Sequence, residues 1–179
     1  MFENWENFYL LIGSASGALI GLLFVVVTLT AGYERDQALR GSSLYMTPTV
    51  TLFTTAMLIG ALATAPKLSV AVQGALIGLA AAAGLIYGLT ITFRLFWGDG
   101  KSPHWTDPWC YGVIPAATYA VLGAAAVCIW AAPGWAAYVA ALAAIAMLVT
   151  GIRNAWDLIT WIAPRREGAA SPMPPPPEA

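Results

Sequence analysis

Hydrophobic positions form long unbroken stretches in this chain, and the charged positions lie in short segments between them. Four ranges contain no charged residue: 7–33, 41–66, 68–93 and 108–152. Each of the first three is longer than the roughly 20 helical residues that cross the hydrocarbon core of a bilayer. Each of these ranges therefore predicts one transmembrane helix.

The fourth range is too long for a single crossing. At about 1.5 Å per residue, one straight helix over this range would be more than twice as long as the hydrocarbon core is thick. Pro133 and Gly134 are placed to reverse the chain, because proline cannot continue a helix and glycine tolerates the dihedrals of a tight turn. The sequence therefore predicts an all-α membrane protein, a bundle of about five transmembrane helices at about 8–32, 46–65, 69–97, 109–131 and 135–162.

Composition agrees with a membrane bundle. Hydrophobic residues make up 59 % of the chain and charged residues 9 %, against roughly 25 % charged in soluble domains. A β-barrel would need alternating apolar and polar positions, which the range 74–84 lacks. The first segment carries Glu3 and Glu6 without a basic residue, so we expect it to stay in the mature protein rather than act as a signal peptide. The bundle is predicted as one domain, 1–163, followed by a disordered proline-rich cytoplasmic tail, 164–179.

The basic residues are distributed unequally between the two sides that five spans define. The loop after the first helix, the loop after the third helix and the C-terminal tail share one side. Seven of the eight basic residues fall there: Arg35, Arg40, Arg94, Lys101, Arg153, Arg165 and Arg166. Lys67 alone falls on the other side. Because cytoplasmic loops carry the excess of Lys and Arg, the sequence predicts an N-terminus outside and a C-terminus in the cytoplasm.

Small residues recur at helical spacing in two of the predicted spans. Gly13, Gly17 and Gly21 share one face of the first helix. The third helix has one stripe with Gly74, Gly78 and Ala82 and another with Gly84 and Gly88. Small residues let helix backbones approach closely in lipid. We expect these stripes to pack within the chain, the first helix against the third or another helix, and a subunit interface is the alternative.

A threonine stripe runs along the second predicted helix. It consists of Thr47, Thr51, Thr54 and Thr55. Two interpretations are open: a hydroxyl-lined vestibule, or packing in which each hydroxyl bonds the carbonyl one turn back in its own helix. The second needs neither water nor a ligand, and it is the one we favour.

Charged and polar residues at the predicted cytoplasmic helix ends are the candidate ligand-binding residues: Arg94, Arg153, Asn154 and Asp157. Arg153 and Asp157 are one helical turn apart and so face each other. Snorkelling to the lipid headgroups explains the arginines without a ligand. A small anionic ligand held by Arg94 and Arg153 is the sharper hypothesis.

No cofactor, metal site or catalytic residue is predicted. The single His104 excludes a haem held by two histidines of one chain, and no His, Cys and carboxylate spacing resembles a zinc site. The segment 98–101 lacks the full spacing of a phosphate-binding loop. The net charge of −1 says nothing about nucleic acid, but no basic face bears interleaved stacking aromatics away from the membrane boundary, so no nucleic-acid partner is predicted.

The segments 8–13 (FYLLIG), 21–26 (GLLFVV) and 151–161 (GIRNAWDLITW) resemble those of small five-helix bacterial inner-membrane proteins that have no established activity. The resemblance spans the helical body and implies a multi-pass protein of the bacterial inner membrane. Our leading hypothesis is a non-enzymatic protein that packs with itself, as a homo-oligomer, or with another membrane protein in the lipid bilayer. A small oligomeric channel or carrier for a neutral or anionic solute is the alternative. A membrane enzyme with a site on the cytoplasmic face is third.

Overall fold

A computed structural model describes residues 2, 4–30, 46–97 and 105–162 of the chain. Within these residues the predicted all-helical architecture is confirmed: five helices are long and apolar enough to cross a membrane. They are α1 (Glu6–Thr30), α2 (Thr47–Thr64), α3 (Val70–Trp97), α4 (Ile114–Ala131) and α5 (Pro133–Ile162). The predicted tail at 164–179 lies outside the described residues.

Most helix starts differ from the prediction by one or two residues, and two of them involve a proline. The fourth span begins with a π-helical segment, Pro108–Val113, before the α-helical winding of α4 starts. Helix α5 begins at Pro133 rather than at 135. Proline suits the first position of a helix, because its missing N–H would have no partner inside the helix there. The chain reverses at Ala132, whose φ of −149° and ψ of 66° are not helical.

Consecutive helices run in opposite directions across the bundle. Helix α1 packs on α2, α2 on α5, α5 on α4, and α4 on α3. Tyr9, near the start of α1, donates a hydrogen bond of 2.7 Å to the carbonyl of Ala137, near the start of α5. The opposite end joins the start of the fourth span to the end of α5. We call these two ends the Trp5 end and the Asn154 end.

Small apolar residues line much of the inside of the bundle, together with buried large side chains such as Tyr119 and Phe53, and many other large apolar side chains face outwards. The buried face of α5 is mostly alanine, including Ala136, Ala140 and Ala144. Leu79 of α3 and Leu142 of α5 are among many large apolar side chains that are more than half exposed. Soluble monomers rarely expose apolar surface on this scale. This outer surface is therefore suited to lipid.

Candidate functional site at the Asn154 end

Asn154, a candidate from the sequence, is a fully buried polar residue on α5. Its Nδ2 donates a hydrogen bond of 3.0 Å to the carbonyl of Cys110 in the π-helical segment. Its Oδ1 accepts a bond of 3.2 Å from Nη1 of Arg153. Both ends of the amide are therefore used, and Asn154 ties α5 to the start of the fourth span.

The carbonyl of Cys110 accepts this bond because its own helix has no donor for it. Ile114 N–H would be its partner in an α-helix, but this group bonds to the carbonyl of Trp109, five residues before it. Residue 115 would be the donor in a π-helix, and it is Pro115, which has no N–H. In lipid, a neighbouring helix must satisfy such a carbonyl.

Tyr111 forms a second connection at the same end of the bundle. Its side chain is 1 % exposed. The hydroxyl lies 3.1 Å from the carbonyl of Asn154 and 3.0 Å from Oδ2 of Asp157, and the two acceptors share its single proton. Asp157 is half-buried, and its carboxylate is therefore held towards the π-helical segment.

The structure brings together three of the four candidate ligand residues. Arg153, Asn154 and Asp157 share one cluster with Tyr111. Arg94 is exposed near the end of α3, where its charge lies near the hydroxyl of Tyr87 on the same helix. In the part of the chain that the structure describes, no hydrogen bond or ion pair joins Arg94 to this cluster. Chemically, the cluster is an interhelical hydrogen-bond network with one exposed guanidinium.

A second buried carboxamide, Gln73 on α3, was missed by the sequence reasoning. Its Nε2 donates a hydrogen bond of 2.9 Å to the carbonyl of Leu62 in α2. That carbonyl lies in the last turn of α2, which ends at Thr64, and the last four carbonyls of a helix have no donor within it. A lone carboxamide in an apolar span shortly after a proline was the available signal. Both Gln73 and Asn154 thus donate to a carbonyl that has no donor within its own helix.

The threonines bond to their own helices, as the packing interpretation predicts. Thr51 and Thr55 donate to the carbonyls four residues before them, at 2.7 and 2.9 Å. Thr90, Thr92 and Thr118 also donate to carbonyls one turn back. The hydroxyl of Thr55 lies 3.0 Å from the hydroxyl of Tyr119 on α4, so this stripe connects helices. Thr54 of the same stripe is exposed.

The glycine stripe of α1 contacts α2 rather than α3. A Cβ added to Gly13 would lie 3.8 Å from Cα of Gly60. A Cβ on Gly17 would lie 4.0 Å from Sδ of Met57, and one on Gly21 would have no neighbour within 4 Å. Close packing is therefore concentrated at Gly13. Its partner Gly60 was not among the predicted packing residues, because a single glycine in α2 forms no repeat.

The glycines predicted as two stripes of α3 lie on one face, against α4. A Cβ on Gly74 would lie 3.0 Å from the side chain of Ile129, and one on Gly78 would lie 3.5 Å from Ala126. A Cβ on Gly84 would overlap the ring of Tyr119, and one on Gly88 would lie 3.1 Å from Cα of Ala116. Ala82, expected to continue the first stripe, is exposed. Together with Ile77 and Ala81, the buried Gly74, Gly84 and Gly88 follow alternating steps of three and four residues, which keep one face towards a partner helix. The predicted stripes used only steps of four.

Every buried side-chain nitrogen or oxygen has a hydrogen-bond partner in the part of the chain that the structure describes.

Comparisons with protein-family models, curated proteins and solved structures found no match. The functional conclusion therefore rests on the residues of this chain.

Proposed function

We propose that this chain is a non-enzymatic integral protein of a bacterial inner membrane that acts by packing with itself or with another membrane component. The observation that carries the proposal is the use of the buried polar groups. Asn154, Gln73 and the threonines bond to backbone carbonyls of the bundle. Polar groups that serve a solute or a reaction are expected to face a cavity or a water-filled path.

The proposed orientation places the Trp5 end outside and the Asn154 end in the cytoplasm. Glu6 and Lys67 belong to the Trp5 end, and Arg94, Arg153 and Asp157 to the Asn154 end. The remaining basic residues follow α1, α3 and α5 in the chain, which adds them to the side of the Asn154 end: Arg35, Arg40, Lys101, Arg165 and Arg166. This asymmetry supports a cytoplasmic Asn154 end by the positive-inside rule.

Reporter fusions test the orientation. A reporter active only in the periplasm is expected to work when fused within 64–69, between α2 and α3. A reporter active only in the cytoplasm is expected to work when fused within 98–101 or after Arg166. The reverse pattern would contradict the orientation, and equal activity of both reporters at one position would contradict a single topology.

Packing with a partner is supported by the outer faces of α1 and α3. These two helices flank the bundle: α1 packs mainly on α2, and α3 mainly on the fourth span. Their outward residues include Leu11 and Phe24 on α1 and Leu79 and Ile86 on α3, all more than 60 % exposed. Much of their apolar surface is therefore open to lipid or to another helix.

Mass measurement in lipid nanodiscs tests the packing proposal. We expect the purified protein to have a mass above the 18.8 kDa of one chain, or to carry a stoichiometric membrane partner. Ala18→Trp on the outer face of α1, or Ala83→Trp on the outer face of α3, is expected to restore the single-chain mass. A parent protein that is monomeric and without a partner in nanodiscs would contradict the proposal. Solute flux in liposomes made with that monomer would favour the channel alternative.

A further inference from the structure

We infer that Asn154 holds the first turn of the fourth span in its π-helical winding, and that this turn is a conformational device with two alternative windings. The inference goes beyond the proposed packing function, because it concerns a change within one chain. It rests on the hydrogen bonds available in each winding.

In the observed π-helical winding, the backbone alone leaves one carbonyl without a donor. Ile114 N–H bonds to the carbonyl of Trp109, so it is displaced by one residue from its α-helical partner, the carbonyl of Cys110. Pro115 cannot supply the next donor. The buried amide of Asn154 bonds to this carbonyl from α5, at 3.0 Å. The π-helical winding is therefore complete only when α5 takes part.

In an α-helical winding, the same groups would be paired differently. Ile114 N–H would bond to the carbonyl of Cys110, and Pro115 would instead leave the carbonyl of Tyr111, four residues before it, without its α-helical donor. The amide of Asn154, which is 0 % exposed, would then lose its acceptor, and a buried donor without a partner is unfavourable. Asn154 thus favours the π-helical winding over the α-helical one.

Arg153 fixes the orientation of the Asn154 amide. A guanidinium has only donors, so the atom that Arg153 contacts at 3.2 Å must be Oδ1. Nδ2 is thereby directed to Cys110. Arg153 itself is exposed and acts here as a positioning residue.

The two windings expose different side chains on the surface of the Asn154 end. A change of one residue in register rotates the preceding residues by about 100° around the helix axis. Asp107 is 7 % exposed and Trp109 is 49 % exposed in the π-helical winding. The α-helical winding would turn this pair to a different face, and so change the surface that the bundle offers at this end.

A double-mutant cycle tests the inference. Asn154→Leu removes the donor, and Pro115→Ala restores a backbone N–H that can reach the carbonyl of Cys110. We expect Asn154→Leu to lower the thermal unfolding midpoint in the parent, and to lower it by less than half as much in the Pro115→Ala background. Equal losses in both backgrounds would overturn the inference, because they would mean that Asn154 contributes only packing.

A matched cycle provides the control. Pro66→Ala restores an N–H at the Trp5 end, beside Gln73, and is expected not to reduce the effect of Asn154→Leu. If Asn154→Leu alone does not fold, the Asn154→Leu, Pro115→Ala double variant is expected to fold. Failure of that double variant, while Pro115→Ala alone folds, would also overturn the inference.

The carbonyl of Cys110 reports on the hydrogen bond that it accepts from Asn154. In a Cys128→Ala background, cysteine labelled with ¹³C at its carbonyl marks Cys110 alone. We expect Asn154→Leu to change the NMR chemical shift of this carbonyl and Gln73→Leu to leave it unchanged. An identical shift in the parent and in Asn154→Leu would overturn the inference.

Discussion

Gly13 of α1 and Gly60 of α2 bring two helix backbones into direct contact. A Cβ built on Gly60 would lie 2.9 Å from Cα of Gly13 and 2.7 Å from the carbonyl oxygen of Tyr9. Both neighbours are backbone atoms, so neither can move without shifting α1. The contact depends on glycine at position 60.

Gly60→Ala is therefore expected to destabilise the bundle, by about 1–3 kcal/mol as overpacking commonly does. Gly21→Ala is the matched control, since a Cβ there would have no neighbour within 4 Å. Thermal unfolding of both variants in the same detergent measures the difference. A Gly60→Ala variant as stable as Gly21→Ala would mean that α1 is not seated on α2 at this point.

The contact of α3 with α4 predicts that a second glycine, Gly84, cannot be replaced without loss of stability. A methyl group on Gly84 would overlap the ring of Tyr119, whereas one on Gly78 would make an ordinary contact of 3.5 Å with Ala126. Displacing Tyr119 also disturbs its hydroxyl contact with Thr55. We expect Gly84→Ala to lose about 1–3 kcal/mol of stability and Gly78→Ala much less. Similar unfolding midpoints for the two variants would contradict this arrangement.

The Trp5 end offers a matched pair of tyrosines. Tyr9 is buried and its hydroxyl donates to the carbonyl of Ala137, whereas Tyr138 is 57 % exposed. Tyr9→Phe removes one buried hydrogen bond and is expected to cost about 0.5–1.5 kcal/mol. Tyr138→Phe is expected to change stability by less. Chemical unfolding of the two variants checks the order, and a larger loss for Tyr138→Phe would reverse it.

Substitutions of two exposed arginines test the hydrogen-bond network at the Asn154 end. Arg153 bonds to the buried amide of Asn154, and Arg94 lies near Tyr87 on its own helix. Arg153→Ala is expected to destabilise by about 1 kcal/mol, because it removes a partner of a buried polar group. Arg94→Ala is expected to fall in the range of exposed charges, about 0–1 kcal/mol, and to be the smaller effect. Equal melting temperatures of Arg153→Ala and Arg94→Ala would mean that Arg153 does not stabilise the hydrogen-bond network.

The sequence predicted the helices well because lipid imposes simple conditions on a chain. A span must be apolar over about 20 residues, and its backbone must bond within itself. The uncharged ranges 7–33 and 68–93 therefore located α1 and α3. The reversal before α5 was also predictable from Pro133, which cannot continue a helix, although the turn lies at Ala132 and Gly134 is already helical.

Which helices pack together was decided only by the tertiary structure. The glycine stripe that contains Gly13 predicted a close approach of α1 to another helix. Its partner, Gly60, is a single glycine that belongs to no repeat, so the sequence did not indicate it. Dispersion between small residues is not specific for a partner, so the sequence could not choose α2 over α3. Large side chains such as Tyr119, which fills the space beside Gly84, select the neighbour through shape.

The role of Asn154 shows the same division. The sequence by itself placed this amide near the end of a span, where it was a candidate for ligand binding. Only the folded bundle placed its Nδ2 at the carbonyl of Cys110, which Pro115 leaves without a donor. Residues 110 and 154 are distant in the chain, and hydrophobic patterning does not specify which unpaired carbonyl a distant side chain will meet. The chain alone thus determined which segments enter the membrane, whereas side-chain shape and hydrogen-bond completion in three dimensions decided how they are joined.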